Sequence, residues 1–156
     1  MKKVSLSNPT LEFDPTDPEG FKAGMLRPGP ELGAKATGTS LYELPPGEAL
    51  CPYHYEWAEE EWLFVLEGTP TVRDPEGEHR LEPMELAFFT TGPEGAHRIQ
   101  NDTAETVRVL MFSDLRWPAA TVYPDSDKIG VWTDPERTDS VMVRRSSGVE
   151  YFEGEV

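Results

Sequence analysis

Turn-forming clusters of proline and glycine interrupt this chain roughly every ten residues, and they limit its fold more than any other feature. The 156 residues include 15 prolines and 13 glycines, spread along the whole length rather than gathered in one linker. Long helices do not tolerate such interruptions, because each proline or glycine inside a helix costs about 1 to 3 kcal/mol relative to alanine. Short strands joined by turns do tolerate them. The sequence therefore predicts an all-β fold.

Short runs typical of β-strands lie between these clusters. They comprise residues 39–44, 62–66, 70–73, 85–90 and 106–112. Their length and spacing are those of a β-sandwich or a small barrel. We expect an irregular N-terminal arm over residues 1–37, a barrel over 38–114, and a C-terminal extension over 115–156 that packs on the barrel or on a partner subunit.

The run 62–66 is apolar on both faces, although a strand with one face in water should alternate. Something should therefore cover the outward side chains of Trp62, Phe64 and Leu66, since an exposed patch of this kind favours aggregation. Either the terminal segments or a second subunit would serve. We expect a two-fold homodimer.

The charge of the chain excludes two classes of partner. Twenty-nine acidic residues against 14 basic ones give a formal net charge of -15, which repels phosphate backbones and anionic lipid surfaces. We therefore expect neither nucleic acid nor a membrane as a partner. The single cysteine, Cys51, cannot form an internal disulfide, and no apolar run reaches the roughly 18 residues of a membrane span. These features predict a cytoplasmic protein.

Two histidines and two glutamates are candidate metal ligands. His54 and Glu56 are two residues apart, so their side chains leave the same face of an extended strand. A turn over residues 57–60 would bring Glu61 to that side, and a neighbouring antiparallel strand can bring His97 opposite. Imidazole and carboxylate ligands without sulfur suit divalent Fe, Mn, Zn or Ni. The third histidine, His79, lies in a charged turn and is expected to be exposed.

The same residues carry a resemblance to a known family. Gly47, His54, Glu56, Glu61 and Gly68 resemble the first cupin motif, usually written G-x5-H-x-H-x3,4-E-x6-G. The spacing from Glu56 to Glu61 and from Glu61 to Gly68 agrees with the motif, and the V-L-E-G sequence ending at Gly68 is similar to its common ending. Two features depart from it: the first gap has six residues instead of five, and Glu56 stands in place of the second histidine.

The second cupin motif, usually G-x5-P-x-G-x2-H-x3-N, is looser in this chain. His97 and Asn101 keep their spacing, but Met84 and Glu85 replace the expected Gly-Asp, and the turn before His97 differs in length. The resemblance covers residues 38 to 114. It implies a double-stranded β-helix, or jelly roll, with a divalent metal inside the barrel mouth on His54, Glu56, Glu61 and His97.

The resemblance implies several functions without choosing among them, because cupins include dioxygenases, isomerases and decarboxylases. One hypothesis is a metalloenzyme acting on a small organic molecule, with an Fe(II) dioxygenase as the first expectation and an isomerase-like enzyme beside it. In either, Glu56 can be a metal ligand or a base. A second hypothesis is a non-catalytic module that binds a metal or a small molecule. A third is a degenerate cupin that binds metal weakly.

Overall fold

The computed structural model describes residues 1–155, which form twelve β-strands, one five-residue helix and three 3-10 turns. All strand pairs are antiparallel. The strands are β1 (Gly24–Leu26), β2 (Thr37–Leu44), β3 (Tyr55–Glu56), β4 (Glu61–Glu67), β5 (Thr71–Asp74), β6 (Gly77–Arg80), β7 (Leu86–Phe89), β8 (Arg98–Gln100), β9 (Val107–Asp114), β10 (Ala119–Tyr123), β11 (Lys128–Trp132) and β12 (Val141–Arg144). The helix α1 spans Pro28–Leu32, and the 3-10 turns span Pro93–Gly95, Pro124–Ser126 and Arg145–Ser147.

The strands form three sheets. The largest has the order β1-β2-β9-β4-β7, the second β12-β11-β10-β3, and the third β6-β5-β8. The connection from β3 to β4 joins the second sheet to the largest, and the turn between β7 and β8 joins the largest to the third. No helix among residues 1–155 is long and apolar enough to cross a membrane.

Strand β4 follows the alternation that the core requires. Leu63 and Val65 are fully buried, whereas Trp62 and Phe64 point to the other side. Burying a leucine or valine side chain completely contributes about 1.5 to 3 kcal/mol. Glu61 shares the inward side with Leu63, because side chains two residues apart leave the same face of a strand. The core packing of β4 therefore also aims Glu61 inward.

All five predicted runs coincide with strands, namely β2, β4, β5, β7 and β9, within two residues at each end. The all-β prediction is confirmed. The other strands have two to five residues, and β6, with the sequence Gly-Glu-His-Arg, is exposed throughout. The N-terminal arm holds β1 and α1 among irregular segments, and β10 to β12 continue beyond residue 114 to form a sheet with β3. The division into arm, barrel and extension remains a prediction.

The outer face of β4 carries a row of aromatic side chains. Trp62 is paired in register with Phe112 of β9 on one side and Phe88 of β7 on the other. These three side chains are 40%, 37% and 45% exposed, so no segment among residues 1–155 covers them fully. The terminal segments therefore do not provide the cover that the sequence predicted for this face of β4.

Candidate metal centre

Three of the predicted ligands converge at one end of the barrel. His54, Glu61 and His97 each offer one ligand atom, and these atoms lie within 4.8 Å of one another. The two histidines form an isolated antiparallel bridge, in which each backbone N–H donates to the other's carbonyl at 3.0 and 2.8 Å. Glu61 is the first residue of β4 and approaches both rings from the neighbouring sheet. The convergence thus depends on backbone pairing rather than on flexible side chains.

Backbone carbonyls orient both imidazole rings. Nδ1 of His54 lies 3.0 Å from the Pro52 carbonyl oxygen, and Nδ1 of His97 lies 2.9 Å from that of Gly95. A carbonyl only accepts hydrogen bonds, so each Nδ1 carries a proton and donates. In the neutral tautomer this leaves the lone pair on Nε2. The two Nε2 atoms face Glu61 Oε2, at 3.7 Å from His54 and 3.3 Å from His97.

The atoms that face each other in this group lack a hydrogen-bond partner. Glu61 Oε2 and His97 Nε2 are both buried and unpaired. When His97 is neutral, two lone pairs oppose each other across 3.3 Å, an arrangement that costs free energy unless a positive charge lies between them. A divalent cation supplies that charge. Two imidazole nitrogens and a carboxylate oxygen can hold Fe, Mn, Zn or Ni.

Aromatic packing and a glycine fix the rings further. Phe89 stacks on the His97 ring with centroids 3.7 Å apart and planes 12° apart, and Tyr123 stacks on His54 at 5.9 Å. The turn before His97 has no room for a side chain at Gly95, where an added Cβ would lie 1.7 Å from the Thr90 carbonyl oxygen. This close approach holds the Gly95 carbonyl where it can accept from His97.

Glu56 lies beside the three-residue group but has other partners. Its nearest carboxylate oxygen is 3.9 Å from His54 Nε2, and it is not a member of the group of converging ligands. The Thr121 hydroxyl donates to the Glu56 carboxylate, with distances of 2.9 and 2.7 Å to its two oxygens. Trp132 Nε1 in turn donates to the Thr121 hydroxyl at 2.8 Å. An indole N–H can only donate, so it leaves the single hydroxyl proton of Thr121 for Glu56.

The four groups differ in their protonation. Burial raises the pKa of Glu56 to about 7, although the Thr121 hydrogen bond and the charge on His54 act in the opposite direction. Burial also lowers the pKa of His97 to about 4, and the charge on His54 lowers it as well. Burial raises the pKa of Glu61, but His54 and His97 outweigh it, so that the net shift is downward.

The pKa of His54 moves in the other direction from that of His97. Burial lowers it, but the contacts with Cys51 and Glu61 outweigh burial and raise it well above 6.5. The Cys51 sulfur lies 3.5 Å from His54 Nδ1. Without a metal, the group therefore contains an ionised Glu61, a protonated His54 and a neutral His97. A metal would take the place of the His54 proton, because only deprotonated imidazole binds it.

A cavity of about 580 Å³ opens in front of these residues. Its volume lies in the range that small organic ligands occupy in proteins. Leu50, Met111 and Leu115 contribute apolar wall to the cavity. Glu56, Glu59 and Glu61 contribute carboxyl groups. An arrangement of this kind combines a metal-type ligand set, a separate carboxylate and room for a small molecule.

Sequence reasoning identified the four residues that converge or lie beside the centre, and it missed their supports. His54, Glu61 and His97 come together, Glu56 lies next to them with its carboxylate on Thr121, and its role as fourth ligand remains a prediction. The missed residues are Thr121, Tyr123 and Trp132 of the C-terminal extension and Cys51 beside His54. No local spacing could have revealed the first three, because they lie outside both motifs. His79 is exposed and lies 3.1 Å from Asp74.

Comparison with known sequences places the central part of the chain in a described family. The family model described as "Cupin domain" matches residues 40–113. The tetracenomycin polyketide synthase protein TcmJ of Streptomyces glaucescens is 34% identical over 91 residues, which are 58% of this chain and 58% of that protein. The match therefore spans little more than half the length of this relative.

Solved structures share the fold over more of the chain. A sugar phosphate isomerase of the cupin superfamily from Silicibacter pomeroyi superposes with a TM-score of 0.81 and 23% identity, covering 97% of this chain and 98% of that one. The polyketide cyclase RemF from Streptomyces resistomycificus gives a TM-score of 0.63 and 21% identity, covering 74% and 80%. These neighbours indicate a jelly-roll barrel, as predicted. The family model therefore identifies residues 40–113 as a cupin domain, and the solved neighbours share the fold of the chain.

Proposed function

We propose that this chain is a metal-dependent enzyme of the isomerase-like kind, which moves a proton at a carbon next to a carbonyl group of a small organic molecule. His54, Glu61 and His97 would hold the metal, and Glu56 would be the base. A divalent metal bound there would polarise the carbonyl oxygen of the substrate. The proposal divides the two half-buried carboxylates between two tasks, ligation for Glu61 and proton transfer for Glu56.

The position of Glu56 is the observation that supports this proposal most. Its carboxylate faces the same cavity as the three converging ligands but is held by Thr121, 2.7 and 2.9 Å away. A carboxylate that is fixed beside a metal without binding it can accept a proton from a substrate on that metal and return it to another atom. The Thr121 hydroxyl would keep one oxygen of Glu56 directed at the substrate while the proton is held.

Two similar proteins are in keeping with this chemistry. One is named a sugar phosphate isomerase and another a polyketide cyclase. Isomerisation of sugars and ring closure of polyketides can both proceed through removal of a proton from carbon beside a carbonyl group. The apolar part of the cavity, including Leu50 and Met111, would limit the access of water to the carbanion-like state.

Metal binding is tested first, by metal analysis of protein purified without added metal and then loaded with Fe(II), Mn(II), Zn(II) or Ni(II) in turn. We expect about one equivalent of metal in the wild-type protein and its loss in His97→Ala. The control is His79→Ala, which removes the remaining histidine, outside the group. Equal metal content in all three proteins would contradict the site and favour a degenerate cupin.

Proton transfer is tested by exchange in D2O. The metal-loaded protein is incubated with a panel of hydroxyketones and 1,3-diketones, and proton NMR follows the loss of signal at the carbon next to the carbonyl. We expect exchange that Glu56→Gln slows about 100-fold or more, because general base catalysis contributes at least this much. Glu60→Gln, an exposed neighbour, should leave it unchanged. Metal binding without exchange for any compound would favour a binding module over an enzyme.

A dioxygenase is the second candidate function, supported by the composition of the ligand group. Two histidines and one carboxylate form the set typical of non-haem Fe(II) oxygenases. Oxygen uptake by the Fe(II)-loaded protein against small diols and thiols tests it. Oxygen consumption that depends on the organic compound and is absent with Zn(II) would favour this function over the isomerase-like one.

We also propose that the chain forms a homodimer through the outer face of β4. The row of Phe112, Trp62 and Phe88 is apolar and partly exposed, and burial against a second copy would remove it from water. Sedimentation measurements should give a dimer for the wild type and a monomer for Trp62→Glu. Tyr151→Glu, at a side chain 87% exposed elsewhere, is the control. A monomeric wild type at micromolar concentration would contradict the proposal.

A further inference from the structure

The cavity that contains the metal-type ligands also has a positively charged part. Arg137 and Arg27 both line it, although the chain as a whole carries a formal charge of -15. Neither guanidinium forms an ion pair with an acidic side chain among residues 1–155, whereas four of the other seven arginines do, namely Arg73, Arg80, Arg108 and Arg116. Two unpaired cations at one cavity are therefore a local departure from the charge of the molecule.

The loop after β11 fixes the position of Arg137. Its guanidinium carbon lies 4.4 Å from the centre of the Trp132 ring, within the range of a cation-π contact. Arg137 has a left-handed backbone conformation, with φ of 56°, and its N–H donates to the Asp134 carbonyl at 3.0 Å. This turn returns the side chain over Trp132, the residue that also supports Thr121 and Glu56.

The Asp134 carboxylate, in the same loop as Arg137, is already occupied. The Asp134 carboxylate accepts hydrogen bonds from the Thr133 hydroxyl and from both the N–H and the hydroxyl of Thr138. Trp132 thus covers one face of the Arg137 guanidinium. The N–H groups along the edge of that guanidinium have no carboxylate partner within the described chain. Such an edge matches the two oxygens of a carboxylate or a phosphate.

We infer that the substrate of this cavity carries an anionic oxygen group, a carboxylate or a phosphate, which binds to Arg137 while its reacting end lies at Glu56 and the histidines. This inference rests on the proposed function for the reacting end alone. Arg27 is close enough to Tyr42 on the cavity wall for its charge to influence that phenol, and it adds positive potential at the same opening. An anion entering a molecule of charge -15 needs such local compensation.

The experiment measures binding rather than turnover. Zinc-loaded protein is titrated with glycerol 3-phosphate, propionate and neutral glycerol, and the indole N–H signal of Trp132, assigned with Trp132→Phe, is followed by NMR. We expect at least one of the two anions to bind about tenfold more tightly than glycerol, the size of one charge-assisted contact. The anion that binds more tightly distinguishes a phosphate from a carboxylate substrate.

Variants separate the arginine from the metal and from catalysis. Arg137→Gln should weaken anion binding about tenfold, and Arg144→Gln, which does not line the cavity, should leave it unchanged. Anion binding should persist in Glu56→Gln and weaken by less than tenfold in His97→Ala, whatever the outcome of the exchange test. Equal binding of glycerol and both anions, an unchanged affinity in Arg137→Gln, or complete loss in His97→Ala would overturn the inference.

Discussion

Replacing Thr121 with valine removes one hydroxyl from the site and changes little else. Thr121 is 3% exposed, and valine has nearly the same shape, so the packing of β10 should persist. The hydroxyl has two partners, the Glu56 carboxylate at 2.7 and 2.9 Å and the Trp132 indole N–H at 2.8 Å. Thr121→Val therefore deprives one carboxylate of a donor and one indole of an acceptor.

The expected cost follows from these two losses. A hydrogen bond to a charged group contributes about 1.5 to 3 kcal/mol, and an orphaned buried donor costs about 1 to 3 kcal/mol. Trp132 is only half buried, so water can reach its indole N–H. The free-energy cost of losing its acceptor therefore lies at the lower end of this range. We expect Thr121→Val to lower the free energy of unfolding by about 3 kcal/mol at pH 8, where Glu56 is ionised. The cost should be about half as large at pH 5, where Glu56 is protonated and its hydrogen bond is uncharged.

Urea unfolding of chelator-treated protein at both pH values measures this difference. Thr121→Ser keeps the hydroxyl and should lose only about 1 kcal/mol, the contribution of one buried methyl group. A double-mutant cycle with Trp132→Phe isolates the bond between the indole and the hydroxyl. A change below about 0.5 kcal/mol for Thr121→Val, or an equal loss for the serine variant, would refute the account of Glu56 as a carboxylate held by Thr121.

Three further outcomes are expected. Burial raises the pKa of Glu56 from 4.5 to about 7, so the ionisation of Glu56 opposes folding as the pH rises through this interval. Glu56→Gln should therefore stabilise the metal-free protein by up to about 3 kcal/mol at pH 8 and should have no effect at pH 4. Urea unfolding measures both values. Gly95→Ala should lose about 3 kcal/mol or more in the same assay, because its Cβ would lie 1.7 Å from the Thr90 carbonyl oxygen. Because His54 holds its proton well above pH 6.5, zinc affinity, measured by competition with a chelating dye, should fall about tenfold for each pH unit below the pKa of His54.

The fold was predictable where short runs rich in apolar and β-branched residues lie between turn clusters. Residues 62–66 form the centre of β4 because Leu63 and Val65 face the core while the residues between them face outward. Strand β3 has only two residues, and β6 is exposed on both faces, so neither leaves a hydrophobic period in the sequence. These strands exist because neighbouring backbones supply their hydrogen bonds, and such tertiary pairing has no local sequence signal.

The ligand group was predictable for a different reason. The alternation of side chains along β4 places Glu61 on the inward face. The two-residue offset places His54 and Glu56 on one side of the chain. The pairing of His54 with His97, by contrast, depends on register between segments 43 residues apart, which spacing alone does not determine. The resemblance to the cupin motifs implied that the two histidines lie together. In the structure the backbone bridge between His54 and His97 holds them there.

Glu56 shows where a local pattern stops being sufficient. It occupies the position of the second histidine in the family's first motif, and from the sequence its carboxylate can be either a ligand or a base. The group that would distinguish these roles is Thr121, 65 residues further along the chain on the strand that pairs with β3. The Thr121 hydroxyl, polarised by the Trp132 indole N–H, stabilises the negative charge of the Glu56 carboxylate. A metal ion would otherwise supply part of this stabilisation. In the proposed function, a strand outside the motif would keep Glu56 from being a ligand, and the same glutamate without Thr121 would be expected to turn toward a bound metal.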